Sequence, residues 1–133
     1  MITVLFSWLW VFWLDPPGTL TLFRTKEYWG AGYQIRINGE VVLESFKAQQ
    51  VVSLSLSPGT YWVESKKFDS QTSRLRVDIK SGQHVYIRGI EDNDFLLKAL
   101  HLRPWAEAKA LPMLGTLKKQ NIPNEKLDRL VAQ

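Results

Sequence analysis

Apolar and polar side chains take turns along one short stretch after another between Leu20 and Leu102, and turn signals separate the stretches. This period of two is the mark of half-buried strands, because successive residues of a strand point to opposite faces. Thr19-Leu20-Thr21-Leu22-Phe23 alternates ahead of Arg24. Tyr33, Ile35 and Ile37 share one face, with Gln34, Arg36 and Asn38 opposite. Asn38-Gly39 is a hairpin signal, since both residues accept positive φ, and Glu40 to Phe46 is the returning strand. Val52, Leu54 and Leu56 alternate with serines up to Ser57-Pro58-Gly59-Thr60, where Pro presets φ for a turn. Tyr61-Trp62-Val63 has high strand propensity. Leu75, Val77 and Ile79 alternate with charged residues, Ser81-Gly82 turns the chain, and His84 to Arg88 returns. Phe95 to Leu102 is the last candidate. About seven or eight short strands at this spacing predict an all-β, antiparallel β-sandwich or barrel.

The 133 residues suit one domain with its own core, and 45% hydrophobic against 23% charged residues argues against disorder. Seventeen Lys and Arg against thirteen Asp and Glu leave a charge of +4. That excess is too slight to favour nucleic acid over a solvated surface. There is no cysteine, which excludes disulfides, thiolate nucleophiles, Cys-type zinc sites and a lipid carried on an N-terminal Cys.

Met1 to Leu14 carries no charge and is crowded with Phe6, Trp8, Trp10, Phe12 and Trp13. As a helix it spans roughly 21 Å, short of the ~30 Å hydrocarbon core of a bilayer. No Lys or Arg precedes it and no small-residue cleavage site follows, so it does not read as a signal peptide. Trp favours the membrane–water boundary, so residues 1–14 read as a membrane or partner contact. A first buried strand is the alternative. Asp15-Pro16-Pro17-Gly18 stops any helix there. Residues 104–133 read as a partly helical tail that packs across a sheet edge or docks on a partner. A helix within Trp105–Lys119 would be interrupted by Pro112 and Gly115, and Asn124 caps a short helix over 125–132.

Three motifs in order, Ile35-Arg36-Ile37-Asn38-Gly39-Glu40, Leu56-Ser57-Pro58-Gly59-Thr60-Tyr61-Trp62-Val63 and Val77-Asp78-Ile79-Lys80-Ser81-Gly82-Gln83-His84-Val85-Tyr86-Ile87, resemble PEGA-type modules and related bacterial β-sandwich domains often found in small lipoproteins. The resemblance covers roughly Leu20 to Ile90. It implies a transthyretin-like (prealbumin-like) sandwich, no enzymatic activity and a place in the cell envelope, on the periplasmic side. Arg24 and Lys26, just beyond the greasy segment, weakly favour the cytoplasmic side instead. The lipidated Cys of such lipoproteins is missing, and the tail is not accounted for.

Chemistry is sparse. His84 falls in a solvent-facing strand phase and His101 near Arg103, with no metal-ligand spacing around either. Glu91-Asp92-Asn93-Asp94 reads as a solvated acidic turn lacking the Gly and distal Glu of a calcium loop. There is no phosphate-binding Gly-rich loop, nucleophile elbow or dinucleotide fingerprint. Arg36, Arg74, Arg76 and Arg88, with Lys66 and Lys67, form a basic face if they share one sheet. Tyr28-Trp29-Gly30-Ala31-Gly32-Tyr33 reads as a loop offering Tyr28, Trp29 and Tyr33 to a ligand or partner, or folding them onto the core rim. The chain thus divides into a contact segment over 1–14, a β-sandwich over 19–103 and a tail over 104–133. It reads as a non-enzymatic structural or accessory module of a membrane-associated envelope assembly, without cofactor or metal, making protein–protein contacts. The alternative is a carbohydrate- or other ligand-binding sandwich using the Trp29–Tyr33 loop.

Overall fold

The computed structural model describes residues 16–27, 30–68, 71–93, 98–120 and 122. The expectations for Phe6, Trp8, Trp10, Phe12 and Trp13, for Tyr28 and Trp29, and for a helix over 125–132 lie outside the described residues. The strands are β1 (Gly18–Phe23), β2 (Tyr33–Ile37), β3 (Glu40–Phe46), β4 (Gln50–Leu56), β5 (Gly59–Lys66), β6 (Ser73–Ile79), β7 (His84–Asn93) and β8 (Lys98–Trp105). A helix, α1 (Glu107–Leu114), and a short strand, β9 (Lys118–Gln120), follow. One sheet has the order β8-β7-β1-β4-β9 and the other β3-β2-β5-β6. The described residues are mostly β, with one short helix, and their two sheets are consistent with the all-β, sandwich-like fold that the alternation predicts.

Leu20 and Leu22 of β1, Ile35 and Ile37 of β2, Leu54 of β4, Val63 of β5, Ile87 of β7 and Leu100 of β8 are wholly buried between the sheets. Each such side chain contributes about 1.5–3 kcal/mol relative to an exposed one. The β2–β3 hairpin turns where expected, with φ of 49° at Asn38 and 83° at Gly39. Along the β6–β8 side the sheets are stitched together. The buried Ser65 hydroxyl donates to the Leu100 carbonyl at 2.5 Å, and the Gln71 amide donates to the Lys98 carbonyl.

Three expectations are corrected. Two pairings, β1 with β7 and β4 with β9, are parallel, so the larger sheet is mixed rather than antiparallel throughout. Alternation fixes which face is buried, not which neighbour a strand takes. The acidic turn does not begin at Glu91, because β7 continues through Asn93, pairing Glu91 with Leu100 and Asp92 with Ala99. The helix is not broken at Pro112, which lies inside α1; its end falls at Gly115. Proline removes the bond to the Ala108 carbonyl and its ring crowds that carbonyl, and the helix ends two residues later.

The Trp105–Gln120 stretch packs on the sandwich. Phe23, Val51 and Tyr86 face outward from the five-stranded sheet, and α1 covers them through Ala110, Met113 and Leu114. Strand β9 lies along β4, with Lys118 beside Gln50. Among the described residues no helix is long and apolar enough to cross a membrane.

Candidate functional site

The outer face of the four-stranded sheet carries four of the six basic side chains singled out in the sequence, Arg36, Lys66, Arg74 and Arg76. Register places Gln34 beside Lys66 and Arg36 beside Glu64. It also sets Glu64 opposite Arg74 and Trp62 opposite Arg76. Arg74 lies over the Trp62 ring, 4.6 Å from its centroid, and pairs with Glu64 at 3.4 Å. Arg76 pairs with Asp78 at 3.6 Å, and Asp78 also accepts from the Thr60 hydroxyl at 2.8 Å. Such exposed pairs contribute at most about 1 kcal/mol each. They fix side-chain positions more than they stabilise the fold.

At the Lys66 end of this face is a cleft of about 320 Å³. Gly32, Gln34, Arg36 and Glu44 line one side, and Lys66, Lys67 and Phe68 the other. The Phe68 side chain is fully exposed. Arg36 donates from Nε to the side-chain oxygen Oε1 of Gln34 at 2.7 Å, and Gln34 Nε2 donates to the Glu44 carboxylate at 3.2 Å. Gly32 runs so close to β3 that a Cβ there would collide with Ser45 Oγ.

The expected basic face is divided. Arg36, Lys66, Arg74 and Arg76 share the four-stranded sheet and Lys67 follows at the end of β5, whereas Arg88 lies on β7 in the other sheet. There it stacks on Trp105 at 4.8 Å and donates to the Thr25 hydroxyl at 2.8 Å. Tyr33 is also corrected as an exposed contact. It is 1% exposed and packed in the core, because it begins β2 in the inward phase. Among the described residues of the Trp29–Tyr33 loop, the one that lines the cleft is Gly32.

Arg24 is the residue whose role the sequence did not announce. It is completely buried at the end of β1. Its guanidinium donates to the Ala31 and Phe46 carbonyls and to Glu27 at 2.8 Å. Glu27 in turn accepts from the Glu91 amide at 3.3 Å. One side chain thus ties β1, β3 and the approach to β2. Gly89 makes room for it: a Cβ there would stand 3.2 Å from Arg24 Cγ. The sequence signal was an Arg ending an apolar strand with Glu three residues on, outside any helical pattern.

His84 is exposed, and His101 lies 3.6 Å from Asp92. Among the described residues no three His, Asp or Glu side chains cluster as metal ligands. Burial pushes the Tyr86 phenol above its ordinary value, and the neighbouring Glu107 carboxylate adds to the effect.

Compared with known proteins, the chain matches no family model and no curated protein. The PEGA-type resemblance rests on its three motifs alone.

Proposed function

We propose that this chain is a non-catalytic structural or accessory module of a membrane-associated assembly in the cell envelope, and that it contacts a protein partner through the outer face of its four-stranded sheet. The transthyretin-like class, the lack of enzymatic activity and the place in the cell envelope, on the periplasmic side, are the parts of this reading that come from the PEGA-type resemblance. One observation carries it. Among the described residues nothing covers that face, whereas α1 covers the outer face of the other sheet. The open face carries a half-buried Trp62 with the Arg74 guanidinium stacked on its ring, two residue types enriched at interface hot spots. Attachment is at the other end of the sheet. The chain enters beside the β6–β7 turn, where Ser81 and Gly82 donate to the Pro16 and Pro17 carbonyls. Strand β5 runs from Gly59, paired with Ile79 near that entry, to Lys66 beside the cleft, a distance of roughly 23 Å. A membrane contact through residues 1–14 would thus join the sandwich at the end away from the cleft.

Deletion of residues 1–14 is expected to move the protein to the soluble fraction with its sandwich intact. From gently solubilised membranes the intact chain is expected to co-purify with a discrete partner, which Trp62→Ala with Arg76→Glu removes. Membrane retention of the truncated chain, or an intact chain that migrates alone, contradicts the reading.

A further inference from the structure

The cleft at the Lys66 end differs in charge from the face around it. Elsewhere on the face cations are matched: Arg74 has Glu64 and Arg76 has Asp78. The cleft brings together Arg36 and Lys66, and among the described residues that line it the one carboxylate is Glu44, which already accepts from Gln34; Lys67, also in the lining, is engaged over the Tyr33 ring. Among the described residues neither Arg36 nor Lys66 has an ion-pair partner. The Arg36 Nε–H is committed to Gln34. This fixes the plane of the guanidinium and leaves its terminal nitrogens to a ligand, in the fork geometry that suits a carboxylate. Beside these cations Phe68 offers an entire aromatic ring to solvent.

We infer that the cleft binds an acidic peptide segment of the partner protein, with carboxylates on Arg36 and Lys66 and an apolar side chain against Phe68. This rests on the four-stranded sheet being the contact face and adds the chemistry of what meets it. A peptide supplies carboxylate and apolar groups within one or two residues of each other, and the cleft is large enough for two or three side chains. It adjoins β3, an edge strand of its sheet, along which an extended segment has room to lie. A polyanion such as nucleic acid needs a continuous row of free cations, and Arg74 and Arg76 are neutralised. A flat lipid surface does not enter a recess that contains Glu44.

The test uses the full chain in zwitterionic detergent, titrated with the synthetic peptide Asp-Glu-Phe-Glu-Asp and its neutral counterpart Asn-Gln-Phe-Gln-Asn, both blocked at the ends. Amide chemical shifts should move at Gln34, Arg36, Lys66 and Lys67 with the acidic peptide only. Lys66→Glu with Lys67→Glu should weaken binding at least about tenfold while leaving the sandwich resonances dispersed. If that variant fails to fold, Arg36→Gln should show a loss of severalfold. Equal binding of the neutral peptide, or shifts centred on Arg88 and Arg103, overturns the inference. So does stronger displacement by a sulfated oligosaccharide or by phosphatidylglycerol vesicles than by the peptide. A silent cleft in a chain that still co-purifies with a Trp62-dependent partner refutes the cleft assignment alone; absence of any partner refutes the wider reading.

Discussion

The two outer faces of the sandwich follow different rules. On the five-stranded sheet, β1 buries residues in both phases: Leu20 and Leu22 inward, Thr21 and Phe23 outward beneath the helix side. On the four-stranded sheet, β5 and β6 keep strict alternation, with Val63 and Val77 inward and Trp62, Glu64, Arg74 and Arg76 outward. A strand covered on both sides loses its period of two, and one facing water keeps it. One face is covered by the chain's own helix, and the other is uncovered among the described residues.

The largest expected effect comes from the side chain that ties the two layers together. Arg24→Ala leaves Glu27 and two backbone carbonyls facing a void, and should lower unfolding free energy by about 3–5 kcal/mol in urea titrations. Phe23→Ala empties the space under α1 and should cost about 3–5 kcal/mol, with early hydrogen exchange in Ala110 and its neighbours. The matching change on the open face, Trp62→Ala, should cost no more than about 1.5 kcal/mol, because the ring is only half-buried and its Arg74 stack is solvated. A cost for Trp62→Ala as large as that for Phe23→Ala would show that the open face is a second core.

The smallest effect is one of pH. The folded protein holds the Tyr86 proton more tightly than the unfolded chain, whose phenol sits at its ordinary value of 10.0. The associated stability is therefore complete below about pH 10 and falls as pH rises through the raised value. Urea midpoints between pH 8 and 11 should decline more steeply for the natural protein than for Tyr86→Phe. Parallel declines would remove Tyr86 from the account.

The open sheet was the legible half. Alternation from Tyr33 to Ile37 and from Leu75 to Ile79, with Asn38-Gly39 between β2 and β3, identified its strands and faces. The covered sheet was less so. Nothing local in Lys118-Lys119-Gln120 marks a strand, because β9 exists only through its pairing with β4. The extension of β7 through Glu91, Asp92 and Asn93 was hidden by acidic residues that read as a turn, and only the partner β8 holds them extended. The cleft was visible as scattered cations, but its walls depend on the register that sets Gln34 beside Lys66. Arg24 escaped because burying a guanidinium needs carbonyls from two distant segments, which no spacing rule supplies.

The reading of the open sheet as the contact surface is tested most directly by a photo-crosslinking amino acid at Arg76, compared with the same group at Lys109 on α1, in native membranes. Both positions are solvent-exposed. A discrete protein adduct is expected from position 76 and none from position 109. An adduct from the helix with none from the sheet, or no adduct from either, would contradict that reading.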